Sequence, residues 1–154
     1  MIKNYTSNSK QTFDVIQKCL VSHGAQQIMF EYQSDGKVKS LNFALSVTNR
    51  LCGFTLPARV EKVEAIFLAN KKPRYDWQKS EPLTQDEKDQ AYRTAWANVR
   101  DWITAQMAFI ETEQAKIEEI FLPYLIVGED NKTLYEGMAV NKFMLPAASV
   151  VDND

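Results

Sequence analysis

Apolar residues recur along this chain with the period of a helix in some stretches and of a strand in others. Between Thr84 and Ala115 the repeat is helical. Tyr92, Ala95, Trp96, Val99, Trp102, Ile103, Gln106 and Ile110 fall on one mostly apolar face. Thr84 and Glu87 predict a capping box that opens this helix, each side chain taking the other's amide. At 1.5 Å per residue such a helix is roughly 45 Å long, against the ~30 Å that a small domain spans. The excess predicts an overhang that packs on a second copy of the chain.

The first half of the chain alternates between the two periods. A first helix, capped by Ser7 or Ser9, turns Phe13, Ile16 and Leu20 inward and closes at Gly24. Strand alternation follows at Ile28, Phe30 and Tyr32, then a turn over Ser34-Asp35-Gly36-Lys37. The cleanest period of two is Leu41, Phe43, Leu45 and Val47 against Ser40, Asn42, Ala44 and Ser46. Thr48-Asn49-Arg50 turns the chain into a third strand, Leu51 to Leu56. Strands joined this closely form an antiparallel meander with one buried face. Pro57 is expected to start a second helix carrying Val60, Val63, Ile66 and Phe67.

Two stretches carry weaker signals. The segment Pro73 to Leu83, PRYDWQKSEPL, has no period and two prolines, so it reads as a long loop of the kind that often serves as a lid. After the long helix, IFLPYLIV from Ile120 to Val127 reads as a late strand, with Pro123 placing it at an edge. Thr133 and Glu136 predict a short capped helix, and the residues after Pro146 a frayed tail. The expected architecture is α+β in a single domain over residues 1–145, with a tail over 146–154. It combines a three-stranded antiparallel meander, flanking helices, one long helix of about thirty residues and a late edge strand.

Composition narrows the choice of function. A hydrophobic share of 45% in 154 residues is enough for a core without disulfides or metals. The net charge of −2 argues against wholesale nucleic-acid binding, which needs a basic surface. Cys19 and Cys52 fit no metal or redox spacing and are expected as buried reduced thiols. The opening MIKNYTSNSKQTFDVIQ has no apolar signal core, and no run approaches the ~20 residues that span a bilayer, so a cytoplasmic protein is expected. His23 is the sole histidine, which removes histidine triads and multi-histidine metal sites. Its expected place, in the last turn of the first helix, suits a structural cation. No carboxylate pairing, glycine-rich phosphate loop or other catalytic constellation stands out. An enzyme is not expected, nor is a cofactor or a metal.

What remains is a set of cations and aromatics. Arg93, Ala97, Arg100 and Thr104 form a stripe beside the apolar face, with a small residue between two guanidinium forks. Asp89 is the local partner for Arg93. Arg100 has no acid three or four residues away and can stack on Trp96 or hold a phosphate. Arg59 falls at the start of the second helix, where free amides favour anions. Arg74 and Trp77 share the long loop with Lys71, Lys72 and Lys79, a combination suited to a stacked base and its phosphate. The candidate ligand-binding residues are therefore Arg59, Arg74, Trp77, Arg93, Trp96, Arg100 and Thr104. Core packing is the competing reading for Trp96, Trp102 and Trp77.

The order of several short segments carries a resemblance. Tyr5-Thr6-Ser7, His23-Gly24-Ala25 and Phe54-Thr55-Leu56-Pro57-Ala58 occupy the first half. Ala95-Trp96, Asp101-Trp102, Ala105-Gln106, Ile110-Glu111 and Phe121-Leu122-Pro123-Tyr124 occupy the second. Taken together, the chain resembles a widespread family of small phage and prophage proteins, in which a basic residue commonly follows the helix tryptophan; here that position is Ala97. Phage proteins of similar size and build include sponges that sequester cyclic-nucleotide or ADP-ribose immune signals. The resemblance thus implies an oligomeric counter-defence protein that binds a nucleotide-type ligand in the host cytoplasm without catalysis, assembled through the long helix. Two other readings stay open: an accessory nucleic-acid-binding factor in phage DNA or RNA metabolism, and a protein that blocks a host protein. The helix, three strands and helix of the first half have the order of a double-stranded-RNA-binding domain, without a lysine cluster at the second helix.

Overall fold

One helix stop and two tight turns shape the first half of the structure, a computed structural model that describes residues 9–73, 75 and 81–143. Helix α1 (Ser9–Ser22) buries Thr12, Ile16 and Leu20 on one side. It ends in a Schellman turn. Gly24, at φ +97°, lets Ala25 N–H reach the Leu20 carbonyl at 2.9 Å while its own N–H reaches Val21 at 3.1 Å. Strands β1 (Gln27–Tyr32), β2 (Val38–Val47) and β3 (Arg50–Pro57) then form an antiparallel meander in that order. Gly36 turns the first connection at φ +84°. Thr48 and Asn49, at +48° and +64°, turn the second in the left-handed backbone conformation that a two-residue type I′ hairpin needs.

Register puts the large side chains in rows across one face. Phe30 pairs with Leu41 and Leu41 with Leu56; Ile28 pairs with Phe43 and Phe43 with Phe54. Helix α1 and the 27-residue α3 (Gln85–Glu111) pack on this face, and α2 (Val60–Asn70) packs on α3. Helix α3 lies in the middle, packed on α1 along one flank and on α2 along the other. Ala91 and Ala95 are small enough to let Val63 of α2 close against them. On the sheet side Trp96, Ile103 and Met107 are enclosed. Tyr92 and Trp96, one turn apart, both grip the start of β2. The Val38 N–H donates to the Tyr92 hydroxyl at 3.0 Å, and the Trp96 indole N–H donates to the Val38 carbonyl at 3.3 Å.

The caps of α3 explain its length. Thr84 accepts from the Glu87 amide at 3.2 Å, as the sequence predicts, but the Glu87 carboxylate takes Lys71 Nζ at 3.0 Å. At the other end the helix stops before Ala115, in a second Schellman turn. Glu113, at φ +58°, sends Gln114 N–H back to Phe109 at 2.9 Å. A glutamate in that conformation carries no stop signal in the sequence. The predicted overhang is also absent. The N-terminal turns of α3 are tied by Lys37–Asp89 (2.8 Å) and Lys71–Glu87, and the C-terminal end by His23 Nε2–Glu111 (2.7 Å). His23 Nδ1 lies 2.7 Å from the Cys19 carbonyl, so the ring joins the ends of α1 and α3 and fills the structural role expected of it.

Two further boundaries differ from expectation. Pro57 does not start α2; it is the last residue of β3, paired with Ser40, and α2 begins after Arg59. The late strand is mostly helix: α4 (Ile117–Phe121), a 3-10 turn (Leu122–Tyr124) and only two residues of strand, β4 (Ile126–Val127). Ile117, Ile120, Phe121 and Tyr124 share one helical side. Phe121, fully buried, meets Phe43, Phe54 and Trp102 with ring centroids 5.4–5.9 Å apart. That contact outweighs the strand propensity of IFLPYLIV. Leu125 bridges to Phe54, so β4 and β5 (Lys132–Thr133) cover the β3 edge of the sheet. Thr133 caps α5 (Leu134–Val140) through Glu136 at 3.1 Å, as predicted. The predicted frayed tail lies outside the described residues, and no described helix is long and apolar enough to cross a membrane.

Candidate binding site

Among the described residues, the cations and aromatics that the sequence singles out are not gathered in one place. Arg93, half-buried, donates to Gln90 Oε1 at 2.6 Å. Its expected partner Asp89 is held by Lys37 at 2.8 Å and Gln85 at 2.9 Å. Those two hydrogen bonds, Lys37 first, keep the Asp89 carboxyl below its ordinary range. Arg100 does have an acid: the neighbouring Asp101 carboxylate takes its Nε and Nη2, each at 3.1 Å. Scanning three and four residues away misses that contact. Thr104 donates back to the Arg100 carbonyl at 2.8 Å. Ala97, the small residue between the two arginines, has no exposed surface, so the expected approach to the backbone is closed.

Trp96 is a core residue. It is wholly enclosed, with Phe13 packed edge-on at 5.0 Å and its N–H committed to Val38, so no face is left for a base. Arg59 is exposed, but it is the N-cap residue of α2, which meets α3 at Ala91 and Ala95. At 100° per residue Arg93 and Arg100 lie about half a turn from that seam, on the opposite flank. Arg74 and Trp77 lie outside the described residues.

A different arrangement occupies the α2 flank. Ala91, Ala95, Asn98 and Trp102 run along α3 at helical spacing. Above Ala95 the seam with α2 opens into a cleft of about 220 Å³, floored by Leu56, Ala58 and Val99 and walled by Trp102 and Tyr124. Trp102 is set by Phe121 on one side (80° between planes) and by Tyr124 on another (5.4 Å, 68°). The side chains of Asn98, Trp102 and Tyr124 are half-buried and hydrogen-bond to no other side chain or backbone group among the described residues. Three polar tips with capacity to spare thus line one mostly apolar hollow. Beside it α2 begins without a side-chain cap, from Arg59 in a left-handed conformation (φ 50°, ψ 52°).

Only part of this cleft has a signal in the sequence. Asn98 is a polar residue on a flank that is otherwise alanine and tryptophan. Tyr124 reaches the cleft only because α4 and the 3-10 turn fold back on Phe54. Two other hollows are larger. One, about 350 Å³, is lined by Asp35, Glu61 and Glu64 with Lys37 and Lys88, and its carboxylates oppose an anionic ligand. The other, about 380 Å³, lies between α1 and β1. The remaining perturbed groups sit away from the cleft: burial, then Glu111, raises the Cys19 thiol, and burial raises the Tyr92 hydroxyl. Among the described residues no group of three or more His, Cys, Asp or Glu could hold a metal ion. Comparison with protein families, curated proteins and solved structures finds no match to this chain.

Proposed function

We propose that this chain is a non-enzymatic binding protein that holds a nucleotide-type small molecule by one ring in the Trp102 cleft. The observation that carries the reading is the meeting, in one hollow, of the Trp102 ring with the uncommitted Asn98 amide and Tyr124 hydroxyl. An amide both donates and accepts, which suits the edge of a base, and an indole gives a stacking surface. At about 220 Å³ the cleft is smaller than the ~300–1,000 Å³ of pockets that enclose drug-sized ligands. It suits a single ring, with sugar and phosphate outside. Arg59 follows Ala58 of the cleft lining, and its guanidinium can pair with an anion there. The resemblance to small phage proteins supplies the biological setting: sequestration of a host immune signal in the cytoplasm, without turnover.

Titration calorimetry against mononucleotides, cyclic di- and trinucleotides and ADP-ribose isomers tests this. Binding tighter than millimolar, abolished by Trp102→Ala and weakened by Arg59→Ala, is expected. No binding across the panel would overturn it. The nucleic-acid reading is weaker on geometry, because α3 lies between α1 and α2 and the α2 start offers a single arginine among carboxylates. A gel shift with a steep salt dependence would revive it.

A further inference from the structure

The two edges of the three-stranded sheet differ, and the difference points to a partner. On the β3 side, Leu125 bridges to Phe54 and the β4–β5 hairpin covers the edge. On the β1 side, among the described residues, no strand or helix pairs with the outer edge. The strand there is QIMFEY. It has no lysine, arginine or proline, and the edge-blunting features it does carry, Glu31 and a bulge, are confined to its C-terminal end. Its outer face shows Met29, 58% exposed, and its inner face the half-covered Ile28 and Phe30.

We propose that this edge pairs with the same edge of a second copy of the chain, antiparallel about a two-fold axis at Met29. The register argues for a second copy over another occupant. A bulge between Glu31 and Tyr32 limits the regular part of β1 to Gln27–Glu31, a stretch centred on Met29. Self-pairing about that centre sets Ile28 against Phe30 of the other copy on the helix-covered face. On the outer face it sets Gln27 against Glu31, so an amide can donate to each carboxylate and no like charges oppose. The α1 flank that shares a groove with Phe30 and Tyr32 carries Lys10 and Asp14, both signs, and so can face its own copy. Two three-stranded sheets then become one of six strands, and neither keeps an open edge. This surface is separate from the Trp102 cleft and does not depend on it.

Sedimentation equilibrium of the full chain at micromolar concentration is the test. The mass of two chains is expected. Met29→Lys places two ammonium groups opposite each other at the axis, where directly facing Cβ atoms are ~5 Å apart, and should return the mass of one chain. Met29→Glu should do the same, and an equal mixture of the two variants should recover the dimer. Far-UV circular dichroism checks that each variant keeps its fold. A single-chain mass for the unmodified protein overturns the proposal. So does a dimer that survives Met29→Lys, which would assign assembly to another surface. A monomer that instead takes up an extended peptide on β1 overturns it as well.

Discussion

Trp96 and Trp102 stand less than two turns apart on one helix, and their surroundings could hardly differ more. Trp96 faces the sheet and the α1 flank, where Phe13 of α1 fills the space beside it and the Val38 carbonyl satisfies its N–H. Trp102 faces the α2 flank, where a seam of alanines brings α2 close but nothing of comparable size fills the space beyond. A large side chain with a polar tip becomes core when a neighbouring element supplies both volume and acceptor. Where the neighbours leave part of the ring uncovered, as Phe121 and Tyr124 do at Trp102, the same residue type lines a cleft. The sequence pattern that puts both tryptophans on the apolar face cannot distinguish these outcomes.

The largest test of this contrast is Trp96→Ala, which should lower unfolding stability by about 3–5 kcal/mol in urea titrations, the range for emptying an aromatic core site. A loss below about 1 kcal/mol would mean that the site is not packed as described. Trp102→Ala should cost roughly 2 kcal/mol, because only part of the ring is covered, and should remove ligand binding altogether. If both variants lost stability equally, the contrast would break.

Thr84→Ala removes the cap of α3 and should cost about 1 kcal/mol. Since the cleft lies several turns beyond the cap, ligand affinity should stay the same, which separates general destabilisation from damage to the site. The smallest effect concerns Asp89. Its carboxyl titrates lower folded than unfolded, so its contribution is complete above the ordinary carboxylate range. It is lost as pH falls through the depressed folded value. Asp89→Asn should therefore reduce the acid sensitivity of stability, and high salt should shrink the difference because the pair is exposed to solvent. Thermal unfolding at several pH values and two salt concentrations would show it; an unchanged acid profile would mean the Lys37 pair contributes nothing.

Much of the fold could be read from local rules. The Gly24 stop, the Gly36 turn, the burial of Leu41, Phe43 and Leu45, and the Thr84 and Thr133 caps all act within a few residues and appear where expected, although Ser40 and Ala44 on the other face of β2 are buried as well. Elements whose state depends on distant partners differ from what their local sequence predicts. Ile120 to Val127 has the composition of a strand, yet Phe121 is drawn into a helix by Phe43, Phe54 and Trp102. Of the candidate site residues, Arg93 and Arg100 found partners on their own helix, Trp96 became core, and Arg59 came to lie on the other flank.

By itself the sequence determined the helices and strands whose periodicity and caps are local, and which residues among them are apolar enough to be buried. Periodicity and caps are properties of neighbours along the chain, so they need no tertiary knowledge. Only the tertiary structure decided that the long helix lies on its own sheet, which tryptophan is enclosed, and that Asn98, Trp102 and Tyr124 meet. Those outcomes depend on how much volume the flanking elements supply at each point of α3, and that volume comes from residues remote in the chain.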